Sequence, residues 1–282
     1  MEVERPNECK VLTEILKFRP PCEDTCVVAR FPSHRPHGCW VAHTALTAIE
    51  CMNMAPRLRR ALERSGISWG LVEEASVLHD VGKLSEAYVN GRRVQHNVLS
   101  ATVALSICED LVVPTSILLH HEALHWRELY RKPLSFFQRI RMTFYIDPRG
   151  FRLHERYREA VRPLKAILDS FGMEAAVSTL DRVLSKREYG VERGGVRRRN
   201  VVNECLRWSS HFRRGLTLYW VLYLADNRAA SARDGPDAYW LRSLRSLSEL
   251  SRDPSRLADA ILKSARRPDI TLTAIPGVRG CL

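Results

Sequence analysis

Ala75-Ser76-Val77-Leu78-His79-Asp80-Val81-Gly82-Lys83 sets an imidazole, a carboxylate and an ammonium directly after an apolar run. Leu71, Ala75 and Leu78 recur at helical spacing, so the run predicts a helix with a buried face that His79-Asp80 closes. A helix C-terminus leaves carbonyls unpaired and negative. Two adjacent side chains there fan out in different directions, and Lys83 follows one turn on. Imidazole and carboxylate groups on an apolar face are costly unless something pairs with them. A metal ion is the common partner when several such groups converge.

Working outward from that stretch, four more segments repeat the pattern. His43 lies in Trp40-Val41-Ala42-His43-Thr44-Ala45-Leu46, and His96 opens Gln95-His96-Asn97-Val98-Leu99-Ser100. His120-His121 follows the apolar run 114–119, and Asp226 shares a helical stripe with Leu218 and Leu222. Adjacent helical residues point about 100° apart, so His120 and His121 reach one ion together only where their helix ends or bends. The remaining histidines lack this setting. His154 and His211 read as surface residues, and His125 falls one turn after His121.

Most of the chain carries helical periodicity. Helices are predicted at about 39–54, 56–65, 69–82, 93–109, 114–129, 134–144, 151–171, 173–186, 198–209, 212–231, 237–249 and 254–265, with a short one near 9–17. Pro114 suits a first helical turn, and Gly172 and Gly190 suit C-terminal stops. Strand-like alternation is confined to the two ends, at 26–31 and 270–275. The expected fold is all-α: one helical-bundle domain over 1–282, with a core at about 39–265 and peripheral extended segments at 1–38 and 266–282.

The 282 residues carry 44 Lys+Arg against 32 Asp+Glu, a net charge of +12 that favours an anionic partner such as nucleic acid. No run approaches the roughly 18 apolar residues of a membrane span. The polar start 1–6 is unlike a secretory signal, so a cytoplasmic protein with no membrane partner is expected. Eight cysteines, of which only Cys22 and Cys26 are closely spaced, fit reduced thiols better than a disulfide framework. The Gly- and Arg-rich stretch 190–200 reads either as a phosphate-contacting loop or as a solvated charged one.

The order His43, His79-Asp80, Asp226 resembles the HD superfamily of metal-dependent phosphohydrolases, and His79-Asp80-Val81-Gly82-Lys83 resembles its central motif. His96 before Leu99-Ser100-Ala101, together with His120-His121, is similar to the HD nuclease of type I CRISPR interference. The chain has no G-x-x-x-x-G-K-[ST] loop, so it resembles the stand-alone form of that nuclease. The resemblance covers about 39–231.

The family implies two metals bridged by Asp80, one held by His43, His79, Asp80 and Asp226, the other by Asp80, His96, His120 and His121. So imidazole-rich a set suits Mn, Fe, Co, Ni or Zn better than Mg. Asp80 and Lys83 are the expected catalytic residues, with Lys83 meeting charge on the transferring phosphate. The reaction implied is phosphodiester hydrolysis of single-stranded DNA, with RNA also allowed. Arg92, Arg93, Arg193, Arg197, Arg198 and Arg199 are candidate strand contacts. A separate helicase subunit and a crRNA-guided surveillance complex are the implied partners.

Three other readings stay open. A mononuclear nucleotide phosphohydrolase needs only His43, His79, Asp80 and Asp226. A di-iron oxygenase on the same scaffold needs no basic surface. A non-catalytic DNA-binding subunit needs no Lys83.

Overall fold

The computed structural model describes residues 8–9, 11–12, 31–32, 38–92, 94–120, 151–189 and 209–234. Over these residues the protein is all-α, with one two-stranded antiparallel pair. The elements in order are α1 (Trp40–Arg64), α2 (Trp69–Leu78), a 3-10 turn (Val81–Leu84), α3 (Glu86–Val89), α4 (His96–Ile107), α5 (Val112–Leu119), β1 (Phe151–Arg152), α6 (Arg158–Ser170), α7 (Glu174–Leu184), β2 (Glu188–Tyr189) and α8 (Ser209–Asp234). The expected helices at 134–144, 237–249 and 254–265, all but the last residue of the one at 198–209, all but the last residue of the strand run 26–31, the run 270–275, Gly190, and the Cys22/Cys26 pair lie outside the described residues. Among those described, no helix is long and apolar enough to cross a membrane.

The two long helices α1 and α8 pack along each other and form the spine. Helix α5 lies against α8, α4 against α5, and α2 against both α1 and α7. The first half of α1 is buried on all sides: Trp40, Val41, Ala42, Ala45, Leu46 and Ala48 are each at most 3 % exposed. A helix hydrophobic all round belongs inside a bundle. Helices α5 and α8 cross closely where Gly215 meets Thr115, since a Cβ on Gly215 would stand 2.6 Å from Thr115 Cγ2. Any larger residue at 215 would push the two helices apart.

Several boundaries differ from the sequence reading, each for a local reason. The break predicted between 54 and 56 does not occur, and α1 runs through Pro56. Pro56 sits on the exposed side of α1, while Met54, Ala55, Leu58 and Leu62 hold both flanking turns in the core. That burial outweighs the roughly 3 kcal/mol an internal proline costs. The helix predicted over 151–171 begins only at Arg158, because Phe151 and Arg152 pair with Tyr189 and Glu188. Two-residue strands are too short to show alternation in sequence. Helix α2 stops at Leu78 rather than 82, leaving His79 at its C-cap and Asp80 just before the 3-10 turn. Gly172, with φ 67°, ends α6 as expected.

The segment 1–38 is not wholly peripheral. Glu8, Cys9, Leu12 and Phe31 are buried, and the last three belong to the main hydrophobic core. His154, expected on the surface, is half-buried with its ring edge-on to Phe31 at 5.6 Å. His211 has no described side chain.

Candidate metal centre

Helix ends, two helix starts and one helix interior deliver the site. His43 comes from the first turns of α1, His79 caps α2, Asp80 precedes the 3-10 turn, His96 opens α4, and His120 caps α5. Asp226 comes from the middle of α8. His43, His79, Asp80 and His120 are each at most 2 % exposed. The structure therefore gathers six of the seven expected ligands. His121 lies outside the described residues. Helix α5 ends at Leu119, so the helix end that the pair His120-His121 requires is present.

The ring nitrogens are set by the backbone. His79 Nδ1 lies 2.7 Å from Ser76 O, and His120 Nδ1 lies 2.7 Å from Ile117 O. A carbonyl only accepts, so each Nδ1 carries hydrogen. Each Nε2 is then directed inward toward Asp80. Both carbonyls sit in the last turn of a helix, where acceptor capacity is left over; Ile117 O also accepts from His120 N at 3.3 Å. Placing the histidine at the C-cap thus fixes its tautomer, the arrangement usual for metal-ligating imidazoles.

Asp80 is the centre of the arrangement. Its Oδ2 lies 3.5 Å from His43 Nε2 and 3.5 Å from His79 Nε2. Its Oδ1 lies 3.2 Å from His96 Nε2 and 3.6 Å from His120 Nε2. Asp226 Oδ1 joins the first side, 2.9 Å from His43 Nε2 and 3.7 Å from His79 Nε2. Two triads of ligand atoms result, His43-His79-Asp80 and Asp80-His96-His120, each with its atoms within 4.8 Å of one another. Bond lengths of about 2.0–2.1 Å place the ligands of one ion about 3–4 Å apart, so these separations fit with little movement.

The buried polar atoms point the same way. His79 Nε2 and Asp80 Oδ1 make no hydrogen bond among the described residues, although both are shielded from water. Buried polar atoms left in that state are costly. A cation between them would resolve the conflict, and the cluster can hold a metal ion.

The electrostatics agree. Burial disfavours a charged His79, yet Asp80 and Asp226 outweigh burial and push its pKa up to about 10. Burial would also raise Asp80, but Lys83 and His79 hold it well below the usual carboxylate range. Asp226 is held low in the same way, burial being outweighed by His43 and His79. The site is thus built around anions that draw in positive charge. His96 is pushed down to about 4, by burial first and then by Lys83, which keeps its imidazole neutral and its lone pair available.

Lys83 is 7 % exposed, and its Nζ lies 2.6 Å from Asp80 Oδ2. Arg92 is exposed just beyond α3. Arg93, Arg193, Arg197, Arg198 and Arg199 lie outside the described residues.

Several supporting residues were given no role in the sequence reading. Trp40 Nε1 donates to Asp80 O at 2.9 Å and pins the backbone of the central residue. Gly82 N donates to Ser100 Oγ at 2.8 Å, tying the 3-10 turn to α4. A Cβ on Gly82 would collide with the His96 carbonyl oxygen and stand 2.9 Å from both Leu99 Cβ and Ser100 N. Only glycine permits that approach, which is what brings His96 to Asp80. Tyr88 sets its ring edge-on to His96 at 5.6 Å. Glu8 is buried beside His43.

No family model matches the chain, and no curated protein or solved structure matches it.

Proposed function

We propose that this protein is a phosphodiester hydrolase with a dinuclear metal centre, an HD-type nuclease acting on single-stranded DNA. One observation carries the reading: the two oxygens of Asp80 each face a separate pair of imidazole Nε2 atoms. A carboxylate so placed suits a ligand shared by two ions. His43, His79, Asp80 and Asp226 would hold one, and Asp80, His96 and His120, with His121, the other. The donor set suits Mn, Fe, Co, Ni or Zn better than Mg.

When bound, such a pair of ions supplies Lewis acidity at the phosphoryl group and a water nucleophile at neutral pH. The rest falls to the protein. Asp80 and Asp226 fix the charge of the site and the spacing of the imidazoles. Lys83, held one turn from His79, offers an ammonium to negative charge that develops on the phosphate. His96 and Asp226 retain 15 % and 17 % side-chain exposure, so the cluster is open at both of these members to an approaching strand. The net charge of +12 supports a polyanionic substrate, and Arg92 is the described member of the basic set proposed to guide it.

A mononuclear nucleotide phosphohydrolase would leave the convergence of His96 and His120 on Asp80 without a role. The resemblance extends the proposal to a separate helicase subunit and a crRNA-guided complex as partners, in antiviral defence in the cytoplasm. The test is incubation with Mn or Ni and labelled single-stranded DNA, duplex DNA, RNA and dNTPs. The proposal expects strand cleavage. Hydrolysis of nucleotides with strands left intact would refute it.

A further inference from the structure

Glu8 is a fully buried carboxylate contributed by a segment far from every other member of the site. Its Oε2 accepts from Cys39 N at 2.9 Å. Cys39 caps the N-terminus of α1, where the helix favours an anion. The other oxygen, Oε1, lies 4.0 Å from His43 Nδ1. That nitrogen is buried and makes no hydrogen bond among the described residues, while Nε2 of the same ring lies 2.9 Å from Asp226 Oδ1.

A neutral imidazole carries one N–H. When Nε2 serves as a ligand, the hydrogen sits on Nδ1 and needs an acceptor. His79 and His120 find theirs in backbone carbonyls because they cap helix ends. His43 lies near the start of a 25-residue helix, where the nearby carbonyls are engaged along the helix. A side-chain acceptor must therefore stand in for the carbonyl. Glu8 is placed to do so, and closing the gap to hydrogen-bond length takes about 1 Å of movement.

We propose that Glu8 is a positioning residue for His43. Its carboxylate accepts from Nδ1–H and so presents Nε2 as a ligand, which makes the N-terminal segment a structural part of the metal centre. This rests on the metal-site reading above.

The test compares wild type, Glu8→Gln, Glu8→Asp and His43→Ala by Mn2+ and Zn2+ titration and by unfolding of the metal-free protein. Glu8→Gln can still accept from Cys39 N–H, but it offers an N–H to His43 Nδ1 and favours the opposite tautomer. The expected result is a ~10–100-fold loss of metal affinity in Glu8→Gln with the metal-free unfolding midpoint unchanged, and partial recovery in Glu8→Asp. Wild-type affinity in Glu8→Gln, alongside a loss in His43→Ala, overturns the role of Glu8 and leaves the metal site standing. A wild type that binds neither ion overturns both. Should Glu8→Gln fold poorly, the zinc-loaded wild type decides by NMR. A His43 Nδ1–H resonance that is downfield and protected from exchange supports the proposal, and a rapidly exchanging one overturns it.

Discussion

Gly82→Ala should separate the two halves of the metal centre. The added Cβ meets the His96 carbonyl oxygen, Leu99 Cβ at 2.9 Å and Ser100 N at 2.9 Å. Two of those three atoms are backbone, so rotamer changes cannot relieve the clash. The start of α4 must recede by about 1 Å, and ligand distances tolerate only about 0.2 Å. His96, now 3.2 Å from Asp80 Oδ1, would fall out of reach. His43, His79 and Asp226 do not depend on α4 and should stay in place. Overpacking costs about 1–3 kcal/mol, and weakening the Gly82 N to Ser100 Oγ bond adds about 1 kcal/mol. The assay is metal content per chain together with urea unfolding of the metal-free protein. The expected outcome is one ion instead of two, a loss of about 2–4 kcal/mol, and little nuclease activity. A Gly82→Ala protein with unchanged metal content and stability would refute the reasoning.

Three further outcomes follow from the same geometry. Asp80→Asn removes the charge shared by both halves, so both ions and all activity should be lost; retained activity would show the assignment to be wrong. Lys83→Met should lower kcat by ~10²–10³-fold while metal content stays at the wild-type level, and a variant stripped of metal would place Lys83 in the wrong role. The pH dependence has a definite sign. In the metal-free protein the His79 value is raised from 6.5 to about 10, so its contribution to stability is complete below about 6.5 and is lost as pH rises through about 10. Because a ligating Nε2 must be unprotonated, metal affinity should climb across that same window. Metal titrations at stepped pH check this, and an affinity indifferent to pH would contradict it.

Most of the site was legible in sequence because its members are polar residues on apolar helices, where only a shared partner makes sense of them. His43 among Val41, Ala42 and Ala45, and Asp226 behind Leu218 and Leu222, were visible for that reason. Glu8 was not, since it lies between Asn7 and Cys9 with no apolar periodicity to mark it as buried. Pro56 misled because local propensity argues for a break, whereas packing on both sides holds α1 together. The β1–β2 pair was invisible because two residues carry no period. The tautomer control at His79 and His120 depends on where α2 and α5 stop, and helix boundaries are the least determined feature of a sequence.

The central claim is that Asp80 joins two metal sites, one on each carboxylate oxygen. Metal analysis of protein purified without chelators tests it most directly. The account predicts two transition-metal ions per chain. A single ion per chain, or none, would contradict it.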